Sequence, residues 1–84
     1  MFRMTVQDVF FIRGRGTVVT GQVEFGEVRV GDEVQVGERA GVRVDGIEAF
    51  RKVLSSAQAG ENIGLLLQSL DRHEVQAGDV ISAA

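Results

Sequence analysis

The sequence predicts an all-β fold: a small closed antiparallel β-barrel of about six strands, occupying residues 1–84 as one domain. Three observations predict it. Apolar and polar residues alternate through several short runs, the period of a strand with one buried face. Eleven glycines and no proline are spread over 84 residues, so turn signals recur every ~8–12 residues, as in barrels and sandwiches. The continuous run Ile63-Gly64-Leu65-Leu66-Leu67 marks a strand covered on both faces, or one whose outer face meets a partner.

The first element is Phe2, Met4 and Val6 alternating with Arg3, Thr5 and Gln7. Asp8 then falls in the apolar phase, while Val9, Phe10, Phe11 and Ile12 run together. A β-bulge near Gln7-Asp8 restores the phase and turns a polar pair to one surface. Gly14 and Gly16 permit a sharp reversal, because glycine tolerates positive φ. Val18, Val19 and Val23 favour extended backbone in the returning strand, which is expected to end near Glu24-Phe25-Gly26. Gly21 interrupts that strand, where glycine marks a bulge or a close approach, and such a gap can leave a small pocket.

Val28 to Val36 reads as a short strand, a Gly31-Asp32 turn and a second strand. Gly37 to Gly41 is a polar turn. Val42 and Val44 alternate with Arg43 and Asp45, and the phase shift to Ile47 points to a second bulge at Gly46. Ala49 to Ser56 fits either a short helix or a strand. Ala59-Gly60-Glu61-Asn62 is a turn into the Ile63–Leu67 strand. Asp71 to Val75 reads as a helical turn, and Val80-Ile81 as a closing strand after Gly78-Asp79.

The composition excludes several chemistries. There is no cysteine, hence no disulfide, thiolate metal site or cysteine nucleophile, and one histidine, His73, rules out a multi-histidine metal site within this chain. No metal and no cofactor are expected. A net charge of −3 disfavours broad electrostatic capture of nucleic acid or of an anionic membrane. No signal peptide or membrane span is visible, which makes a cytoplasmic setting the expectation. Gly14-Arg15-Gly16 lacks the third glycine of a dinucleotide loop and enters a strand rather than a helix. Asp8 and Glu48 have no polar constellation around them of the kind general acid–base catalysis needs. Arg13 and Arg15 read either as contacts to RNA or a neighbouring domain, or as solvated turn residues. The chain is not expected to be an enzyme, and without a P-loop it is not expected to bind GTP tightly.

Six segments in order carry a family resemblance. They are Asp8-Val9-Phe10, Gly14-Arg15-Gly16-Thr17-Val18-Val19-Thr20-Gly21, Val30-Gly31-Asp32-Glu33-Val34, Ile47-Glu48-Ala49-Phe50-Arg51-Lys52, Ala59-Gly60-Glu61-Asn62-Ile63-Gly64 and Gly78-Asp79-Val80-Ile81. Together they cover nearly the whole chain, and it resembles the second domain of translational GTPases, above all that of elongation factor Tu. The resemblance implies a small antiparallel barrel of the domain II type.

It also implies a binding site for the aminoacylated 3′ end of tRNA. The terminal adenine would lie against Ile12, Gly14, Val18 and Leu66, with Glu48 over the base and near the ribose. Phe50 (through its backbone), Arg51 and Asn62 would surround the ester and amino group. Gln7, Asp8, Phe10 and Thr20 would line the amino-acid side-chain space. Such a base needs an apolar slot and a close glycine, and a carboxylate can accept a ribose hydroxyl proton. Gln7 stands where elongation factor Tu typically has glutamate, which lowers the charge there. No GTPase domain or third domain is visible in the sequence.

Two functional readings follow. One is a translation-factor domain II module, without its own GTPase domain, that holds the aminoacyl-tRNA acceptor end weakly. The other is a docking module that packs on a GTPase domain or a ribosomal surface without binding a tRNA end. Weak self-association is expected through the Leu65-Leu66-Leu67 side, should that face lie uncovered.

Overall fold

A computed structural model describes residues 1–84. The chain is built from ten strand segments: β1 (Phe2–Thr5), β2 (Asp8–Ile12), β3 (Gly16–Arg29), β4 (Glu33–Val36), β5 (Arg39–Arg43), β6 (Gly46–Ala49), β7 (Lys52–Leu54), β8 (Ser56–Gln58), β9 (Asn62–Leu67) and β10 (Val80–Ala83). The only helical piece is a 3-10 turn, Arg72–Glu74. The fold is therefore all-β, as the alternation predicts, with more and shorter strands than the six expected.

One strand is also longer than expected, the 14-residue β3. It was expected to stop near Gly26. Instead Gly26 takes a positive φ of 79°, the strand bends there, and Glu27–Arg29 continue as partners of β8. β3 is the spine of the molecule: β2 and β9 flank its first half, and β1 and β8 pair with its second. All the pairings are antiparallel, and the sheet runs β5-β4-β10-β1-β3-β9-β6-β7.

The sheet curls round one continuous cluster of eighteen buried apolar residues, among them Phe2, Met4, Val19, Val23, Ile47, Leu65, Leu67 and Ile81. Thr17 is the one buried polar residue, and its hydroxyl donates to the Leu70 carbonyl at 2.7 Å. That bond satisfies a group whose burial would otherwise be costly. It also ties β3 to the loop that enters the 3-10 turn.

Both expected bulges have structural counterparts. Thr20 stands in register with Asp8, yet its carbonyl accepts from the Gln7 N–H at 2.7 Å. Two residues thus face one, and Val6 and Val9 both turn toward the core. At the second site, Val44 exchanges backbone bonds with Gly31 and Asp32, whereas the Asp45 N–H donates to the Leu66 carbonyl. The chain changes neighbours from β4 to β9 just before Gly46, and the extra residue puts Val44 and Ile47 on the same buried side.

Other expectations resolve more finely. Gly14 and Gly16 do adopt positive φ, 84° and 119°, at the corner between β2 and β3. Residues 39–41 belong to β5, so the polar turn narrows to Gly37-Glu38. The ambiguous Ala49–Ser56 stretch is a tight hairpin joining β6 and β7, followed by the start of β8. The short turn at Asp71–Val75 is present and carries a capping box between Asp71 and Glu74.

The Leu65-Leu66-Leu67 run does not form an uncovered face. Leu65 and Leu67 are fully buried and Leu66 is 9% exposed. β9 lies between β3 and β6, with both edges paired, and this removes the reason for self-association through that side. Gly21 also differs from the expected gap. A Cβ there would sit 2.4 Å from the Thr5 carbonyl oxygen, so the close approach is by β1 and not by a ligand. No helix is long and apolar enough to cross a membrane.

Candidate functional site

Strand register decides which side chains share a surface, because residues directly opposite one another point to the same face. In β2, β3, β9, β6 and β7 the pairings run Asp8–Thr20–Gly64–Glu48–Val53 across one row. The next row runs Phe10–Val18–Leu66–Gly46. Ile12 lies opposite Gly16 beyond it, and Gln22 opposite Asn62 on the other side. The intervening row, Val9–Val19–Leu65–Ile47–Leu54, faces the core.

The sheet thus turns Asp8, Phe10, Ile12, Val18, Thr20, Glu48, Asn62 and Leu66 to the side away from the core cluster, where Val18 and Leu66 remain buried. Gln7 sits exposed at the bulge that starts β2, and Gly14 at the corner that ends it. Phe50 and Arg51 form the turn of the β6–β7 hairpin. Since Glu48 is opposite Gly64, that turn lies toward the Asn62 end of β9.

The turn is backbone-strained. Phe50 (φ 48°) and Arg51 (φ 66°) are the only non-glycine residues with positive φ. Two left-handed central residues suit the right-handed twist of a two-residue hairpin, a position that favours Asn-Gly or Gly-Gly. Here a phenylalanine, 88% exposed, and an arginine occupy it instead. Neither side chain is held by a core contact, and both project from the rim of the site.

The floor of the face comes from glycines that the sequence reading did not assign to the site. Gly64 lies at its centre, between Thr20 and Glu48, and a Cβ there would come within 3.3 Å of Val18 Cγ1. Gly46 lies beside Leu66, its missing Cβ 3.5 Å from that side chain. The available signal was a glycine within an apolar strand, Ile63-Gly64-Leu65, which marks a close approach. The result is an open shelf, not an enclosed pocket. The two largest hollows lie elsewhere: one of about 660 Å³ beside Val36–Arg39, Glu74 and Asp79, and one of about 290 Å³ beside Phe11 and Asp71–His73.

One strong polar contact crosses the shelf. Arg15 Nη2 donates to Glu48 Oε2 at 2.6 Å, joining the β2–β3 corner to β6. The hydrogen bond that Arg15 donates to Glu48, with that carboxylate's charge, raises the Arg15 pKa above the ordinary guanidinium value. Gln68 braces the corner by donating to the Arg15 carbonyl at 3.1 Å, while its own N–H is held by Asp45 at 2.8 Å. Arg15 is therefore engaged within the chain. No grouping of three or more histidine, aspartate or glutamate side chains is arranged to hold a metal ion.

A family model for elongation factor Tu domain 2 matches residues 16–82. The chain belongs to the elongation factor Tu domain 2 family. Among solved structures, a bacterial selenocysteine-specific elongation factor, EF-Sec, superposes with a TM-score of 0.87 at 34% identity over 95% of this chain. The match covers 14% of that longer chain, so this chain spans only a small part of its length. The domain 2 fold is thus a translation-factor module, and the shelf is a surface of that module.

Proposed function

We propose that this chain acts, as one non-catalytic domain, in translation, and that its shelf receives the aminoacylated 3′ end of a tRNA. The observation that carries this reading is the convergence of eight resemblance-derived residues on one face around Gly64. In it the terminal adenine rests on Ile12, Val18 and Leu66 beside Gly14, with Glu48 at the ribose. Phe50, Arg51 and Asn62 meet the ester end. Gln7, Asp8, Phe10 and Thr20 border the amino-acid side chain. A GTPase domain supplies the rest of the grip, in a cytoplasmic setting. The curled sheet closes into a barrel through Val44 and Asp45, a reading supported by their bonds to Asp32 and Leu66.

Binding by the chain alone is weak, with a dissociation constant above about 0.1 mM, because an acidic module gains little from phosphates. NMR titration with aminoacylated and deacylated CCA-end mimics tests it. Larger shifts at Phe10, Glu48 and Asn62 with the aminoacylated mimic are expected. Equal or absent shifts would leave a docking module that packs on a GTPase domain or the ribosome. The Arg15–Glu48 bond favours that second reading, since it already occupies the carboxylate.

A further inference from the structure

β2 pairs with β3 along one side and with no strand along the other. Its bonded rungs are those of Asp8, Phe10 and Ile12. At one end Thr20, opposite Asp8, accepts from Gln7, and at the other the Ile12 carbonyl accepts from Arg15. Antiparallel ladders alternate, so the N–H and C=O groups of Val9 and Phe11 point away from β3 toward the open edge. No turn or loop bond engages them.

Open edges in soluble proteins are normally short, charged or broken by proline. Here the edge carries Val9-Phe10-Phe11-Ile12, without charge or proline, between Asp8 and Arg13. Phe10, Phe11 and Ile12 are 51%, 56% and 38% exposed.

We propose that this edge pairs with the same edge of a second copy of the chain, antiparallel and two-fold symmetric about Phe10. Val9 of each copy then exchanges backbone bonds with Phe11 of the other. Phe10 meets Phe10 on the axis in a non-bonded rung, where facing side chains approach most closely. The charges select this arrangement. Antiparallel pairing sets Asp8 of each copy opposite Ile12 of the other and Arg13 opposite Gln7, so no like charges meet, whereas in-register parallel pairing would set Asp8 beside Asp8 and Arg13 beside Arg13. The interface is self-complementary, as a two-fold dimer requires. It does not depend on the tRNA-end reading.

Sedimentation equilibrium and amide hydrogen exchange on the 84-residue chain test the proposal together. The weight-average mass should climb toward twice the chain mass as concentration approaches about 1 mM. Over the same range, exchange at Val9 and Phe11 should slow, with Phe10 and Ile12 unchanged. Phe11→Pro removes the outward N–H and keeps the bonds to β3, so it should weaken the dimer about tenfold or more, because two symmetric hydrogen bonds are lost. Phe11→Lys places a charge on the edge and should do the same if the proline variant does not fold. A monomer throughout, or a dimer indifferent to the folded variants, would overturn the proposal. So would an edge that binds only an extended peptide of another protein at Val9 and Phe11.

Discussion

Arg15 and Glu48, thirty-three positions apart in the chain, form a 2.6 Å charge-assisted hydrogen bond across the outward shelf. One end is fixed by the glycine corner between β2 and β3, the other by the register of β6 on β9. The bond therefore reports the assembly of both hairpins. It also sets the state in which a ligand finds Glu48.

Replacing Glu48 by alanine should leave the fold intact, because an exposed ion pair contributes little to stability. If the carboxylate accepts a ribose hydroxyl, the variant should bind an aminoacylated CCA-end mimic about tenfold more weakly. Arg15→Ala should instead free Glu48 and keep or tighten that binding. Titrations of both variants, followed by NMR, separate the two effects. Equal weakening by both would mean that the pair acts as a structural brace.

Two glycines should behave differently on gaining a methyl group. Gly21→Ala forces a Cβ to within 2.4 Å of a backbone oxygen and should destabilise by about 1–3 kcal/mol. Gly64→Ala meets only the Val18 methyl at 3.3 Å, which can shift. It should cost less in stability while filling the centre of the shelf and lowering ligand affinity. Urea unfolding of the two variants gives the order.

Leu65→Ala should cost about 2–5 kcal/mol, since it opens a cavity at a fully buried side chain. In a domain whose whole stability is on the order of 5–15 kcal/mol, that is a large share of the total. Val53→Asp, on an 83% exposed side chain, should change stability by no more than about 0.5 kcal/mol. Thermal unfolding of the two variants provides the contrast.

A pH dependence should come from Glu24. Its carboxylate accepts from the Thr5 hydroxyl at 2.7 Å and from Arg3 Nε at 2.8 Å. The Thr5 bond, opposed by desolvation and assisted by Arg3, lowers its pKa below the ordinary carboxylate value. A lowered native pKa makes the stabilisation complete above the unfolded value and lost as pH falls through the native one. The β1–β3 contact should therefore weaken on the acid side of the usual carboxylate range. Glu24→Gln should flatten that part of the melting-temperature profile. An unchanged acid limb would show that other carboxylates govern it.

Much of the fold was legible because its causes are local. Alternation at Phe2–Val6, the glycine corner at Gly14–Gly16 and the phase breaks at Gln7 and Gly46 are all written in short stretches. The 14-residue length of β3 was not legible. Gly26 reads as a stop, and only the later arrival of β8 makes it a bend. The hairpin at Phe50-Arg51 was hidden for a related reason, as neither residue favours positive φ and tertiary pairing imposes it. The candidate site residues were named by resemblance alone, and their shared face depends on register across five strands. The Arg15–Glu48 bond, the glycine floor and the open β2 edge depend on it too. No single segment encodes such a register.

The β1–β10 ladder sets Phe2 opposite Ala83 and Thr5 opposite Val80. Both chain ends therefore leave the sheet side by side from the same end of one antiparallel pair. Tension applied between them loads that ladder like a zipper, one rung after another beginning with the outermost. A pull directed along β3 against its neighbours would instead have to shear several rungs at once. The module should be mechanically soft when drawn out by its ends and stiff when pushed or dragged across its spine.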